Sequence, residues 1–105
     1  MFNLFKKNYR LFIGLNVENK NDIPIADGEN TVIEICRKHG IEGLSIGLCK
    51  GVYTYDNGIT VYENTVVLTL IDYRGKLDKL IDDLKKALSQ QCIMIEKISS
   101  KFSFR

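Results

Sequence analysis

The side chains best suited to hold a ligand lie near predicted strand ends: Arg10, Asn16, Lys50, Tyr53, Tyr55, Glu63, Asn64 and Gln90. Cations, hydroxyls and amides in one set suit a nucleotide or another small anionic ligand, the cations meeting its charge and the amides and hydroxyls its edges. The competing reading makes them solvated strand residues beside a hairpin, with Glu63 and Asn64 forming a bulge. Catalytic groupings are poorer. His39 is the single histidine; it follows Arg37 and Lys38 at a helix end, where a capping role outweighs that of a general base. Cys36, Cys49 and Cys92 sit in apolar contexts, where a buried, inert thiol is the default, and a Cys36–His39 nucleophile pair has little else to support it. No C-x-x-C pair accompanies the lone histidine, so tetrahedral zinc lacks ligands. No glycine-rich phosphate loop is present, and Asp82 and Asp83 read as solubilising charges on a helix. No catalytic residue, metal or cofactor is therefore expected.

These side chains must be positioned by strands. Tyr9 to Val17 reads as a first strand, with Leu11, Ile13 and Leu15 on one face and Arg10, Phe12, Gly14 and Asn16 on the other. A polar connection over Glu18–Asp22 leads through Pro24 to a helix over Asp27–His39, with Asp27 as N-cap and Gly40 as the left-handed residue that ends it. Leu44 to Tyr55 forms a second strand, with Gly51 marking a bulge that re-aims Lys50. Asp56-Asn57-Gly58 is a hairpin signal, because Asn-Gly tolerates positive φ. Ile59 to Asp72 returns as a third strand whose Val66–Ile71 stretch is apolar on both faces, as in a central strand. Leu77, Leu80, Ile81, Leu84 and Leu88 form the stripe of a second helix, with Lys79–Asp83 and Asp82–Lys86 as opposite-charge pairs on its wet side. A last strand runs from near Cys92 to Ile98.

The order β-α-β-β-α-β predicts an α+β, ferredoxin-like fold, with a mainly antiparallel four-stranded sheet and two helices on one face. The domain is expected over residues 9–98, with an extension over 1–8. Residues 99–105, with Phe102 and Phe104, form either a tail or an extra edge strand. The helices leave the other sheet face open, and its small residues Gly14, Gly47, Cys49 and Gly51, with Phe12 beside them, suit a subunit interface.

Composition agrees with one globular domain. The 105 residues are 45% hydrophobic and 27% charged, and Lys and Arg exceed Asp and Glu by 15 to 13, for a net charge of +2. That balance is weak for a dedicated nucleic-acid binder, and the aromatic RNA-recognition signature is missing from the third strand. No apolar run approaches the ~20 residues of a membrane span. The unpaired cysteines and the absence of a signal-peptide pattern in Met1–Lys7 read as a cytoplasmic setting.

Several short motifs together resemble a bacterial and phage family of small domains of unknown function. They are Leu11-Phe12-Ile13-Gly14-Leu15; Gly43-Leu44-Ser45 followed by Gly51 and Tyr53; Glu63-Asn64-Thr65-Val66-Val67-Leu68; and Gln90 ahead of Cys92-Ile93. Tyr53 stands where that family often has Trp. The resemblance implies the fold and a bacterial or phage origin, and carries no activity. The first functional reading is a non-enzymatic homo-oligomer, of a kind a phage would use against host defence. It sequesters a small anionic, nucleotide-like ligand at or near a subunit interface. The alternatives are a protein-interaction module that inhibits a host protein, and a small dimeric ferredoxin-like enzyme.

Overall fold

The computed structural model describes residues 7–99 and 103–105; most of the expected N-terminal extension and Phe102 of the tail lie outside them. The elements run β1 (Lys7–Gly14), α1 (Ile25–Lys38), β2 (Ser45–Thr54), β3 (Thr60–Tyr73), α2 (Leu77–Ala87) and β4 (Met94–Ile98). The strands form one antiparallel sheet in the order β2-β3-β1-β4. This is the ferredoxin-like fold. β3, apolar on both faces, is flanked by β2 and β1 as a central strand should be.

Alternation decides the two faces. Leu11, Ile13, Val66, Leu68 and Leu70 point to one side and pack, fully buried, with Val32 and Cys36 of α1 and with Leu80 and Leu84 of α2. The stripe expected on α2 is the stripe that is buried. Gly28 lets α1 press on the Leu15 side chain, since a Cβ there would overlap it.

Several boundaries differ from expectation. β1 already includes Lys7 and Asn8, and it ends at Gly14 because the chain then bends away: the Leu15 N–H donates to Asn64, while the Leu15 carbonyl accepts from the Ile23 N–H. Helix α1 is capped by Pro24, whose ring fixes φ, and the Gly28 N–H donates to the Pro24 carbonyl at 2.9 Å. Asp27 instead lies in the first turn, where its charge suits the helix dipole. Gly40 does end α1, at φ 74°. The β2–β3 register runs without a break from Ser45↔Thr69 to Thr54↔Thr60, so neither Gly51 nor Glu63–Asn64 forms a bulge. The irregularity is at the other end of β3, where Asp72 adopts φ 59° and its N–H donates to Asn8 Oδ1. Asp83 pairs with His39 Nε2 at 2.7 Å, tying α2 to the end of α1 in place of the expected Lys79–Asp83 contact. Residues 103–105 are not in a strand, and Phe104 is exposed.

Candidate functional site

The face left open by the helices is ordered in cross-strand rows. Gly47, Val67, Phe12 and Met94 form one row, and Cys49, Thr65 and Gly14 the next. Gly51 then faces Glu63, and Tyr53 faces Val61. The five residues expected at an interface, Phe12, Gly14, Gly47, Cys49 and Gly51, thus share this face. All but Gly47 line a hollow of about 910 Å³ between the β2–β3 hairpin, the end of β1 and the turn leading into β4.

Glu63 lines the hollow from β3. Its Oε1 accepts from the Tyr53 hydroxyl at 3.1 Å, and its Oε2 accepts from the Asn16 backbone N–H at 3.2 Å. Gly14 makes the arrangement fit, because a Cβ at that position would run into the Glu63 carboxylate. Asn16 holds the strand end in place: its Nδ2 donates to the Tyr62 carbonyl, and its own carbonyl accepts from Gln90 Nε2 at 2.8 Å. Burial, and then the adjoining Glu63 carboxylate, push the Tyr53 phenol above its ordinary value, so the hydroxyl remains a donor at neutral pH. Tyr53 and Tyr55 meet edge to face, with ring centroids 6.0 Å apart, and form an aromatic wall.

Five of the eight expected ligand residues, Asn16, Tyr53, Tyr55, Glu63 and Gln90, therefore line one hollow. The other three do not. Lys50 and Asn64 are cross-strand partners on the opposite face, one step out of phase with Gly51 and Glu63. Arg10 lies on the open face beyond Phe12, and its guanidinium bonds Glu96 at 2.6 Å. The hollow consequently contains more carboxylate than cation, with Glu18 held at its rim by Gln91 Nε2.

Residues not singled out beforehand as ligand contacts complete the walls: Thr65, Met94 and Cys92. For two of them the signal was positional, since Thr65 pairs with Gly14 and Met94 with Phe12 across the sheet, whereas Cys92 lies in the turn ahead of β4. Of the cysteines, only Cys36 is buried, with its thiol pushed up to about 11 by that burial; Cys49 and Cys92 are exposed, contrary to the inert setting expected of all three. Among the described residues, no group of three or more His, Cys, Asp or Glu is placed to hold a metal ion. No helix among them is long and apolar enough to cross a membrane. A smaller hollow of about 320 Å³ lies at the far end of β3, beside His39 and Tyr73. His39, one of its lining residues, is the one that pairs with Asp83 of α2.

No protein-family model matches the chain, and no curated protein matches it. Among solved structures, it is 30% identical to a phage SAM lyase in complex with S-methyl-5'-thioadenosine, with a TM-score of 0.66 over 90% of this chain and 81% of that one. The chain belongs to the phage SAM lyase family. A phage SAM lyase in the apo state matches at 29% identity, with a TM-score of 0.65 over 92% of this chain and 86% of that one. The B. subtilis GlnK–ATP complex matches at 11% identity and a TM-score of 0.60, over 89% of this chain and 83% of that one, and shares the fold alone. Membership of the SAM lyase family overturns the expectation of a non-enzymatic protein that sequesters its ligand, and with it the alternative of an inhibitor of a host protein. The matching family member is an enzyme.

Proposed function

We propose that this chain is a SAM lyase that holds S-adenosylmethionine (SAM) over the open face of its sheet and releases S-methyl-5'-thioadenosine. The observation that carries the reading is Glu63, fixed by Tyr53 and Asn16 inside a hollow walled by aromatic rings, in a chain of this family. The hollow's size suits a nucleoside with a short amino-acid arm. The faces of Phe12, Tyr53 and Tyr55 offer planes for an adenine ring. SAM carries two positive centres, a sulfonium and an ammonium, which suits a hollow richer in carboxylate than in cation.

Charge accounting assigns Glu63 its partner. In a lyase reaction the bond between sulfur and Cγ of the amino-acid arm breaks, its electron pair leaves with sulfur, and the sulfonium becomes a neutral thioether. A carboxylate held tightly against that sulfur would stabilise the ground state and slow the step, because only interactions stronger in the transition state accelerate it. The ammonium keeps its charge throughout, so Glu63 acts best there, anchoring the arm. Cγ is then attacked by the arm's own carboxylate oxygen, which closes a lactone as the thioether departs. No water enters and no proton is lost. The protein's contribution is to hold the arm folded, which is where intramolecular reactions gain most of their rate.

The homo-oligomer expected from sequence fits this reading. Leu48, Val52 and Tyr62 on one face of the hairpin, and Tyr53 and Tyr55 on the other, are exposed large side chains beside the hollow. A further copy laid over the hairpin would cover them and close the site at or near a subunit interface. In a phage setting, removing SAM would deprive host methyl-transfer defences of their donor.

The test is product identification by mass spectrometry after incubating the purified chain with SAM. The expected products are S-methyl-5'-thioadenosine and a four-carbon amino lactone in equal amounts. SAM recovered unchanged, or split into adenine-containing fragments other than this thioether, would overturn the reading.

A further inference from the structure

We infer that Gln90 is a positioning residue for Glu63, acting through Asn16 rather than touching the ligand. The inference rests on the reading of Glu63 as the group that anchors the substrate. The Gln90 Nε2 carries two hydrogens, and two carbonyls take them: Asn16 at 2.8 Å and Leu88 at 3.1 Å. Asn16 is 74 residues away in sequence, so this amide joins the end of β1 to the turn leading into β4. Asn16 in turn gives its backbone N–H to Glu63 Oε2 and its Nδ2 to the Tyr62 carbonyl. Every polar group of Asn16 named here is engaged, with Gln90 on one side and the Glu63 carboxylate on the other.

The turn is built to present Gln90. The Gln90 N–H donates to the Lys85 carbonyl at 2.9 Å and the Ser89 N–H donates to Lys86 at 3.4 Å, with Ser89 left-handed at φ 51°. That is the Schellman closure of α2, made here with a residue that has a Cβ. A non-glycine residue in this conformation costs free energy and persists only where its surroundings determine it. The outcome is a fixed backbone from which the Gln90 side chain reaches Asn16.

Without the Gln90 amide, the Asn16–Val17 peptide loses the bond that fixes its carbonyl. The Asn16 Cα, the pivot it shares with the Leu15–Asn16 peptide whose N–H holds Glu63, then loses its tie to the α2–β4 turn, and only the Ile23 bond to the Leu15 carbonyl still steadies that N–H. A shift of about 1 Å in an anchoring group costs up to about 10²-fold in rate. Gln90→Leu, and Gln90→Asn, which is one methylene too short to span both carbonyls, are therefore expected to lower kcat about ten- to a hundredfold with little change in KM. A direct ligand contact would show the opposite split, a raised KM with kcat kept, and would overturn the proposal.

A second readout does not depend on turnover. The Asn16 amide resonance, followed by ¹H–¹⁵N NMR, is expected to move when Glu63→Gln removes the charged acceptor from its N–H. That movement is expected to shrink when the same substitution is made in either Gln90 variant. An equal Asn16 shift on Glu63→Gln in the wild-type, Gln90→Leu and Gln90→Asn backgrounds would refute the positioning role whatever the activity. Wild-type protein that leaves SAM intact, but whose Asn16 response to Glu63→Gln is diminished in the Gln90 variants, would remove the lyase reading and leave the positioning role standing.

Discussion

At the scale of single residues, the site depends on a carboxylate that a glycine makes room for. A Cβ at Gly14 would collide with the far end of the Glu63 side chain, which can swing away cheaply. Gly14→Ala is therefore expected to fold with stability within about 1 kcal/mol of wild type and yet to lose most SAM turnover; thermal melts and an activity assay on the same sample check both halves. Cys36 supplies a pH signature. Its buried thiol is pushed up to about 11 from an ordinary value of 9.0, so the unfolded chain releases that proton first. Stability is thus full below about pH 9 and falls as pH rises toward 11, by up to about 2–3 kcal/mol, and Cys36→Ala should flatten that slope in denaturant titrations. Tyr53 and Tyr73, also raised by burial, act in the same direction at higher pH. The sequence exposed much of this chemistry, because Asn16, Tyr53, Glu63 and Gln90 are polar residues placed at strand ends. It misplaced Lys50 and Asn64 for a definite reason. A bulge at Gly51 or Glu63 would have brought them round, whereas an unbroken register sends every second side chain to the far face.

At the scale of elements, both helices end in the same closure, but with different residues. Gly40 adopts φ 74° at no steric cost, whereas Ser89 adopts φ 51° against its Cβ. Ser89→Gly is expected to raise stability by about 0.5–1 kcal/mol, a few degrees in Tm, as read by calorimetry. Leu84→Ala, which empties a fully buried position on α2, should cost about 2–5 kcal/mol. Helix α2 was legible because one apolar stripe and its charged flank say the same thing. The start of α1 was not, since Asp27 offers a cap that proline, with φ already set, takes over three residues earlier. The site's dependence on the β1 end and the α2–β4 turn was hidden for another reason. Gln90 reaches Asn16 by donating its side-chain amide to the Asn16 backbone carbonyl, an acceptor that no side-chain pattern announces.

At the scale of the whole molecule, the fold extends 53 × 26 × 24 Å, and its β2–β3 hairpin leaves large apolar side chains exposed on both faces. An exposed surface of that kind is expected to be covered by another copy. Gly47, which has nothing within 4 Å of where a Cβ would stand, is free to accept a side chain in the isolated chain. Gly47→Arg should therefore fold normally while breaking the assembly, as native mass spectrometry would show; an assembly of unchanged mass would mean that this face does not pack against a copy. The fold was readable from element order alone. The proposed activity was not, because ferredoxin-like sheets serve many chemistries and the proposal places this one in a single carboxylate and its supports. The most direct measurement compares the rate of S-methyl-5'-thioadenosine release from SAM by the wild-type protein and by Glu63→Gln. Steady release by the wild type, with a loss of about 10²-fold or more in the variant, is the expected result. Equal rates in the two proteins, or no release by either, would contradict the placement of lyase chemistry at Glu63.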